Sequence, residues 1–199
     1  MKPVIRRLKV HPWPQAQGEA LTELASAQAI TVLSVVTASN TMRATGRQLI
    51  RAALCAVLAT HTGQLPKTIS FGINAPDASP LTWSGQPIGF SVSHEAGLTL
   101  GAIHRLGPIG IDVMRIEALP DWALVAIDYL GRDTYERLMA TPTSQRPHAF
   151  GREWTRLEAC LKCLGVGLIE CDAGLARRRS LCRIFELALP DGLAGTVAV

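Results

Sequence analysis

The sequence predicts one compact body that mixes helices and strands and has room for two packed halves. The chain has 199 residues, long for one small domain and short for two independent ones. Apolar residues make up 48% and charged residues 18%, which is enough to fill a core and excludes a disordered chain. The order of elements is also loosely duplicated, with a strong helical pattern followed by strand-like runs in each half.

The segment 89–114 organises the rest. It reads as two strand runs, each delivering polar groups at one end, with an apolar span between them. In the first run Phe90 and Val92 give way to Ser93 and His94, and Glu95, Ala96 and Gly97 supply a turn. Gly107 and Pro108 break the chain before the second run, where Ile109 and Ile111 resume the strand and Asp112 interrupts it. A carboxylate flanked by Ile111 and Val113 is costly to bury alone, so it needs a cation or several hydrogen-bond donors.

Taken in order, residues 1–18 read as a short edge strand and a proline-rich lead-in, and 19–38 as helical in the first half and β-branched in the second. Residues 41–61 form a helix with Leu49, Ala53, Leu54, Val57 and Leu58 on its apolar side. Residues 62–88 are loop-rich around one strand at 68–72. A helix begins near Asp121, is broken at Gly131 and ends before Pro142. The helix 148–164 presents Phe150, Trp154, Leu157, Leu161 and Leu164, and Gly165 with Gly167 ends it. The tail alternates into two strands joined by Pro190, Asp191 and Gly192.

The net charge of +4 favours acidic or phosphorylated partners. At 5% aromatic residues, a nucleic-acid surface built on base stacking is not expected. The basic residues fall in separate clusters: Arg6, Arg7 and Lys9; Arg43, Arg47 and Arg51; and Arg177, Arg178 and Arg179. The middle set recurs every four residues and shares one helix stripe, with no acid on that helix to neutralise it. A solvated face and a phosphate-binding stripe both remain open for it. Five cysteines without metal-binding spacing suit free thiols in a reducing cytosol. No stretch has the length of a membrane span, so a cytoplasmic protein without a membrane partner is expected.

Glu158 and Lys162 lie one turn apart on the helix 148–164, a pair that alone contributes only a few tenths of a kcal/mol. Considered with Asp112, His94 and the arginine stripe, they suggest more. Two carboxylates from different elements suit a hard cation such as Mg2+, which keeps waters and bridges to substrate phosphates. Basic residues around such an ion suit pyrophosphate cleavage, with a lysine stabilising the leaving phosphate and a carboxylate as general base.

Three segments, FSVSHEAG, GIDVM and FGREWTRLEACLKCLGVGL, resemble in order and spacing the motifs of the larger, pseudo-dimeric 4'-phosphopantetheinyl transferases. TMRATGRQLIRAAL is similar to the arginine helix of that family. The resemblance implies an α+β fold of two pseudo-two-fold-related halves, each a helix on a small antiparallel sheet. It places the nucleotide side in residues 1–106 and the metal and catalytic side in 107–199, with the coenzyme A site in the cleft between them. It implies transfer of the phosphopantetheine arm of coenzyme A to a serine of an acidic apo carrier protein, releasing 3',5'-ADP. By the same resemblance Asp112 and Glu158 hold Mg2+, Glu158 is also the base, and Lys162 contacts the phosphates and assists the leaving group. Ser93 and His94 contact the nucleotide phosphates, Arg43 and Arg47 meet the 3'-phosphate, and Trp154 packs. A monomer is expected.

The sequence departs from the family at three places. Met114 stands where a carboxylate is usual, and a thioether is a poor Mg2+ ligand. Leu157 replaces the lysine before the glutamate, and Ala78, Ser79 and Pro80 offer no cation where a lysine is common. An alternative follows: a catalytically impaired member that binds coenzyme A or a carrier protein without transfer.

Overall fold

The fold is given by a computed structural model that describes residues 7–64, 69, 82–83 and 86–199. The strand expected at 68–72, Ile69 apart, and the loop at Ala78, Ser79 and Pro80 lie outside the described residues.

Short strands β1 (Arg7–Leu8) and β2 (His11–Pro12) lead to helix α1 (Gln17–Ala25) and strand β3 (Ile30–Val36). Helix α2 (Arg43–Thr62) follows, then the small pair β4 (Thr82–Trp83) and β5 (Gln86–Pro87), and the hairpin of β6 (Gly89–Glu95) and β7 (Leu98–His104). Strand β8 (Gly110–Arg115) opens the second half. Helix α3 (Trp122–Val125) runs on into a π-helical turn over Ala126–Leu130, and Gly131 separates it from α4 (Arg132–Met139). Helix α5 (Arg146–Leu164) starts with proline in its first turn and stops at Gly165, whose φ of 66° is the left-handed cap that glycine favours. Helix α6 (Ala173–Arg179) and strands β9 (Ile184–Leu187) and β10 (Leu193–Ala198) complete the chain.

Each half is a strand, a helix and a hairpin. β3, α2 and the hairpin β6–β7 give the sheet order β2-β3-β7-β6, while β8, α5 and the hairpin β9–β10 give β1-β9-β10-β8. In both, the leading strand pairs antiparallel with the second strand of the hairpin. The two similar halves of the expected α+β fold are therefore present. Neither four-stranded sheet is purely antiparallel, however: β1 joins β9 and β2 joins β3 in parallel. β1 comes from the N-terminal segment and completes the sheet of the second half.

The layers follow from alternation along the strands. Leu33 and Ile103 face α1 and α2, packing on Leu24, Ile50, Leu54 and Leu58. Ile30, Val32, Leu100 and Ala102 face the other way, against Ile111, Val113, Phe185, Leu187 and Val197 of the second sheet. α5 covers that sheet's far side. Each such large side chain contributes roughly 1.5–3 kcal/mol on burial.

Two sequence expectations change. The apolar span after Gly97 is itself a strand, β7, and it is covered on both faces, so its pattern is continuous rather than alternating. The tail also contains α6, which Asp172 caps by accepting the Leu175 N–H at 2.6 Å, with Arg177, Arg178 and Arg179 at the helix's negative end. No described helix is long and apolar enough to cross a membrane.

Candidate active site

Asp112 lies mid-strand on β8, directly opposite Thr196 of β10. Opposed residues share a sheet face, and Thr196 meets the Thr155 hydroxyl of α5 at 2.9 Å, so Asp112 also faces α5. Gly110 allows the helix to come this close. A Cβ there would fall on the Ala159 carbonyl oxygen and 2.6 Å from the Cys163 amide nitrogen. Glu158 and Lys162 flank that contact and are carried to the strand with it.

The result is a compact polar cluster. The Lys162 ammonium donates to Asp112 Oδ1 at 2.7 Å and to the Ile111 carbonyl at 3.0 Å. Ser93 of β6 donates to the same Oδ1 at 2.8 Å. Asp112 is buried, which suits a carboxylate with one ionic and one neutral donor. Glu158 is half-buried, and burial, followed by the nearby Asp112 charge, pushes its carboxyl above the ordinary value while Lys162 pulls the other way. Asp112, Glu158, Lys162 and Ser93 are thus brought together.

His94 is not in that cluster. Successive strand residues point to opposite faces, so while Ser93 faces β8, His94 faces α2. Its Nδ1 is 2.7 Å from the hydroxyl of Thr99, its directly opposed residue on β7, and Gly46 of α2 lies against the ring. The turn of α2 above it carries Arg43, exposed, and Arg47, half-buried. Burial, then the charges of Arg43 and Arg51, holds Arg47 below its ordinary value. None of the three has a carboxylate partner among the described residues. A stripe that repels itself in this way favours an anion across it. β6 joins the two zones, with the acid cluster on one face and the arginine helix on the other.

The departures from the family pattern also have places. Met114 packs with Trp122 and Phe150 in an apolar cluster, its sulfur near Gly151, and offers nothing to a hard cation. Leu157 is fully buried in the same cluster. Trp154 packs there too, stacked on Phe150 at 6.0 Å. Glu117 is exposed and pairs with Arg115 at 3.6 Å. No group of three or more His, Cys, Asp or Glu side chains among the described residues is placed to hold a metal ion. The pair Asp112 and Glu158 is what the site provides.

Sequence reasoning missed Thr99, Gly46 and Gly110, which position the named groups. It also passed over Ser91, Ser93 and Glu95 as a set, although polar residues at alternate positions around Val92 are a readable stripe on one strand face.

Fold and site define an α+β protein of two similar halves, with an acidic pair and a lysine where the two sheets meet. Residues 108–189 match the family model of the 4'-phosphopantetheinyl transferase superfamily, so this segment is similar to that superfamily's domain. The match runs from just before β8 to just past β9, so it contains Asp112, Glu158 and Lys162 and stops short of the arginine stripe. As their name states, enzymes of this superfamily transfer 4'-phosphopantetheine, and coenzyme A is the general donor. A search of curated proteins found no match.

Proposed function

We propose that the protein transfers the 4'-phosphopantetheine group of coenzyme A to a serine hydroxyl of an acidic apo carrier protein, with Mg2+ at Asp112 and Glu158. The observation that carries this reading is the meeting of Asp112, Glu158 and Lys162 inside the segment that matches the superfamily. The donor set fits the ion. Mg2+ takes one or two carboxylates and completes its shell with water and substrate phosphates. Burial first, and the Asp112 charge second, hold Glu158 above its ordinary value, and Lys162 only partly offsets them. Bound there, Mg2+ would neutralise charge growing on the diphosphate.

The chain's own groups do the rest. Arg43 and Arg47 bind the 3'-phosphate, with His94 on the strand beneath them. Lys162 turns from Asp112 to the diphosphate and stabilises the leaving phosphate. The carrier serine oxygen forms a bond to the phosphorus bearing the pantetheine arm, and the bond from that phosphorus to the bridging oxygen breaks. 3',5'-ADP leaves with the bridging oxygen. The serine proton passes to Glu158, directly or through a water. The net charge of +4 suits electrostatic steering of an acidic carrier. In this reading residues 1–106 hold the nucleotide, 107–199 hold the metal, and the enzyme works as a cytoplasmic monomer.

One observation favours a second reading, a binder without transfer. Met114 is absorbed into an apolar cluster, so the metal has one carboxylate fewer than is usual in the family. The mass of an apo carrier protein after incubation with coenzyme A, Mg2+ and this protein separates the two. A gain of one phosphopantetheine supports the transferase. No gain across several carriers, with coenzyme A binding intact, supports the binder.

A further inference from the structure

β6 meets β8 without a backbone ladder. β8 is the edge of its sheet, and without acceptors its outward N–H groups would be left unpaired, those of Ile111 and Val113 in the interior. Three side chains of β6 accept them in turn: Ser91 Oγ takes the Ile111 N–H at 3.1 Å, Ser93 Oγ the Val113 N–H at 3.2 Å, and Glu95 Oε2 the Arg115 N–H at 3.1 Å. Alternate residues of one strand thus serve alternate residues of the other, in place of the carbonyls of a missing neighbour.

Ser93 alone of the three also reaches the acid cluster. Its single proton goes to Asp112 Oδ1 at 2.8 Å and a lone pair takes the Val113 N–H, so the hydroxyl is fixed from both sides. Oδ1 also accepts from Lys162, whereas Oδ2 has no protein donor among the described residues. We infer that Ser93 is a positioning residue: it holds Asp112 by Oδ1 so that Oδ2 is the oxygen presented to the divalent cation. This rests on Asp112 being a cation ligand in the proposed function. Because Ser93 belongs to the first half and Asp112 to the second, the ligand's setting depends on the docking of the two halves.

Ser91 provides the control, being an equivalent rung that does not touch Asp112. Ser91→Ala and Ser93→Ala each leave one buried N–H of β8 without its acceptor, so both lower the melting temperature of the metal-free protein, Ser93→Ala by more because Asp112 Oδ1 also loses a donor. Titration with Mg2+ in a calorimeter then separates them. Loss of a group that orients a metal ligand weakens metal affinity by roughly 10–100-fold. Ser93→Ala shows such a loss, Ser91→Ala stays within about twofold of the parent, and Ser93→Thr, which keeps the hydroxyl, recovers most of the affinity. If Ser93→Ala does not fold, Ser93→Cys, a weak donor of similar size, carries the same expectation. Equal Mg2+ affinity in the Ser91 and Ser93 variants overturns the inference, as does a parent that binds no Mg2+. A parent that binds Mg2+ in the predicted pattern but loads no carrier overturns the transfer reaction and leaves the role of Ser93 standing.

Discussion

Replacing Gly110 by alanine tests how the site is assembled. The added Cβ meets the Ala159 carbonyl oxygen and lies 2.6 Å from the Cys163 amide nitrogen. Both atoms belong to the backbone of α5, so no side chain can swing aside and the helix must back away as a unit. Carbon contacts sit near 3.5–4.0 Å and the carbonyl oxygen is the nearer of the two atoms, so the displacement is at least about 1 Å. Overpacking of this kind costs about 1–3 kcal/mol. At roughly 2–4 °C per kcal/mol for a chain of this size, the variant melts about 2–12 °C below the parent. Glu158 and Lys162 ride on the same helix, and misplacing reacting groups by about 1 Å lowers the rate roughly 100-fold. Scanning calorimetry and the initial rate of carrier loading read the two effects. Gly18→Ala in α1, where nothing lies within 4 Å of the added carbon, is the control and melts at or slightly above the parent. A Gly110→Ala protein that melts and works like the parent refutes the account of how α5 meets β8.

Other outcomes follow from the same geometry. Asp112→Ala and Glu158→Gln abolish transfer while the circular dichroism spectrum stays that of the folded protein; near-normal turnover in both removes them from the site. In the metal-free protein, burial and the Asp112 charge keep Glu158 protonated to higher pH than in the unfolded chain. The stability this contributes is present below the unfolded value and is lost as pH rises through the folded one. Relative to Glu158→Gln, the parent therefore loses stability from acid toward neutral pH, and a melting-temperature gap that does not change with pH contradicts this. Arg47→Ala removes a charge-assisted contact of about 1.5–3 kcal/mol, so coenzyme A binds at least about tenfold more weakly. Calorimetry with coenzyme A lacking the 3'-phosphate should show no such penalty. Burial and the neighbouring Cys182 push Cys160 up to about 12 and Cys163 to about 11. Thiolates are the reactive form, so alkylation near neutral pH followed by peptide mapping labels these two slowly; rapid labelling of Cys160 contradicts its placement in the interior.

Much of the fold was legible because its signals are local. The helical periods of α2 and α5, the breaker at Gly107 and Pro108, and the Asp112 interruption in an apolar strand each declare themselves within a few residues. β7 did not, because a strand covered on both faces loses the alternation that marks strands. α6 was overlooked although Asp172 is a readable cap. Of the site, the residue types and their order were legible from the three motifs. The division of labour between Ser93 and His94 was not drawn, since it depends on which face of β6 meets β8 and which meets α2. One short edge strand was expected in residues 1–18; that there are two, β1 and β2, each pairing in parallel, was not legible, because two residues are too short for any periodicity to show.

The most direct test of the central claim is the position of the metal. Crystals grown with coenzyme A and Mn2+ in place of Mg2+ would show the ion by its anomalous scattering. The account predicts one peak bonded to Asp112 Oδ2 and to Glu158, at the roughly 2.0–2.6 Å of hard-cation oxygen bonds, with the diphosphate completing its shell. A peak that touches only one of these carboxylates, or lies away from both, contradicts it.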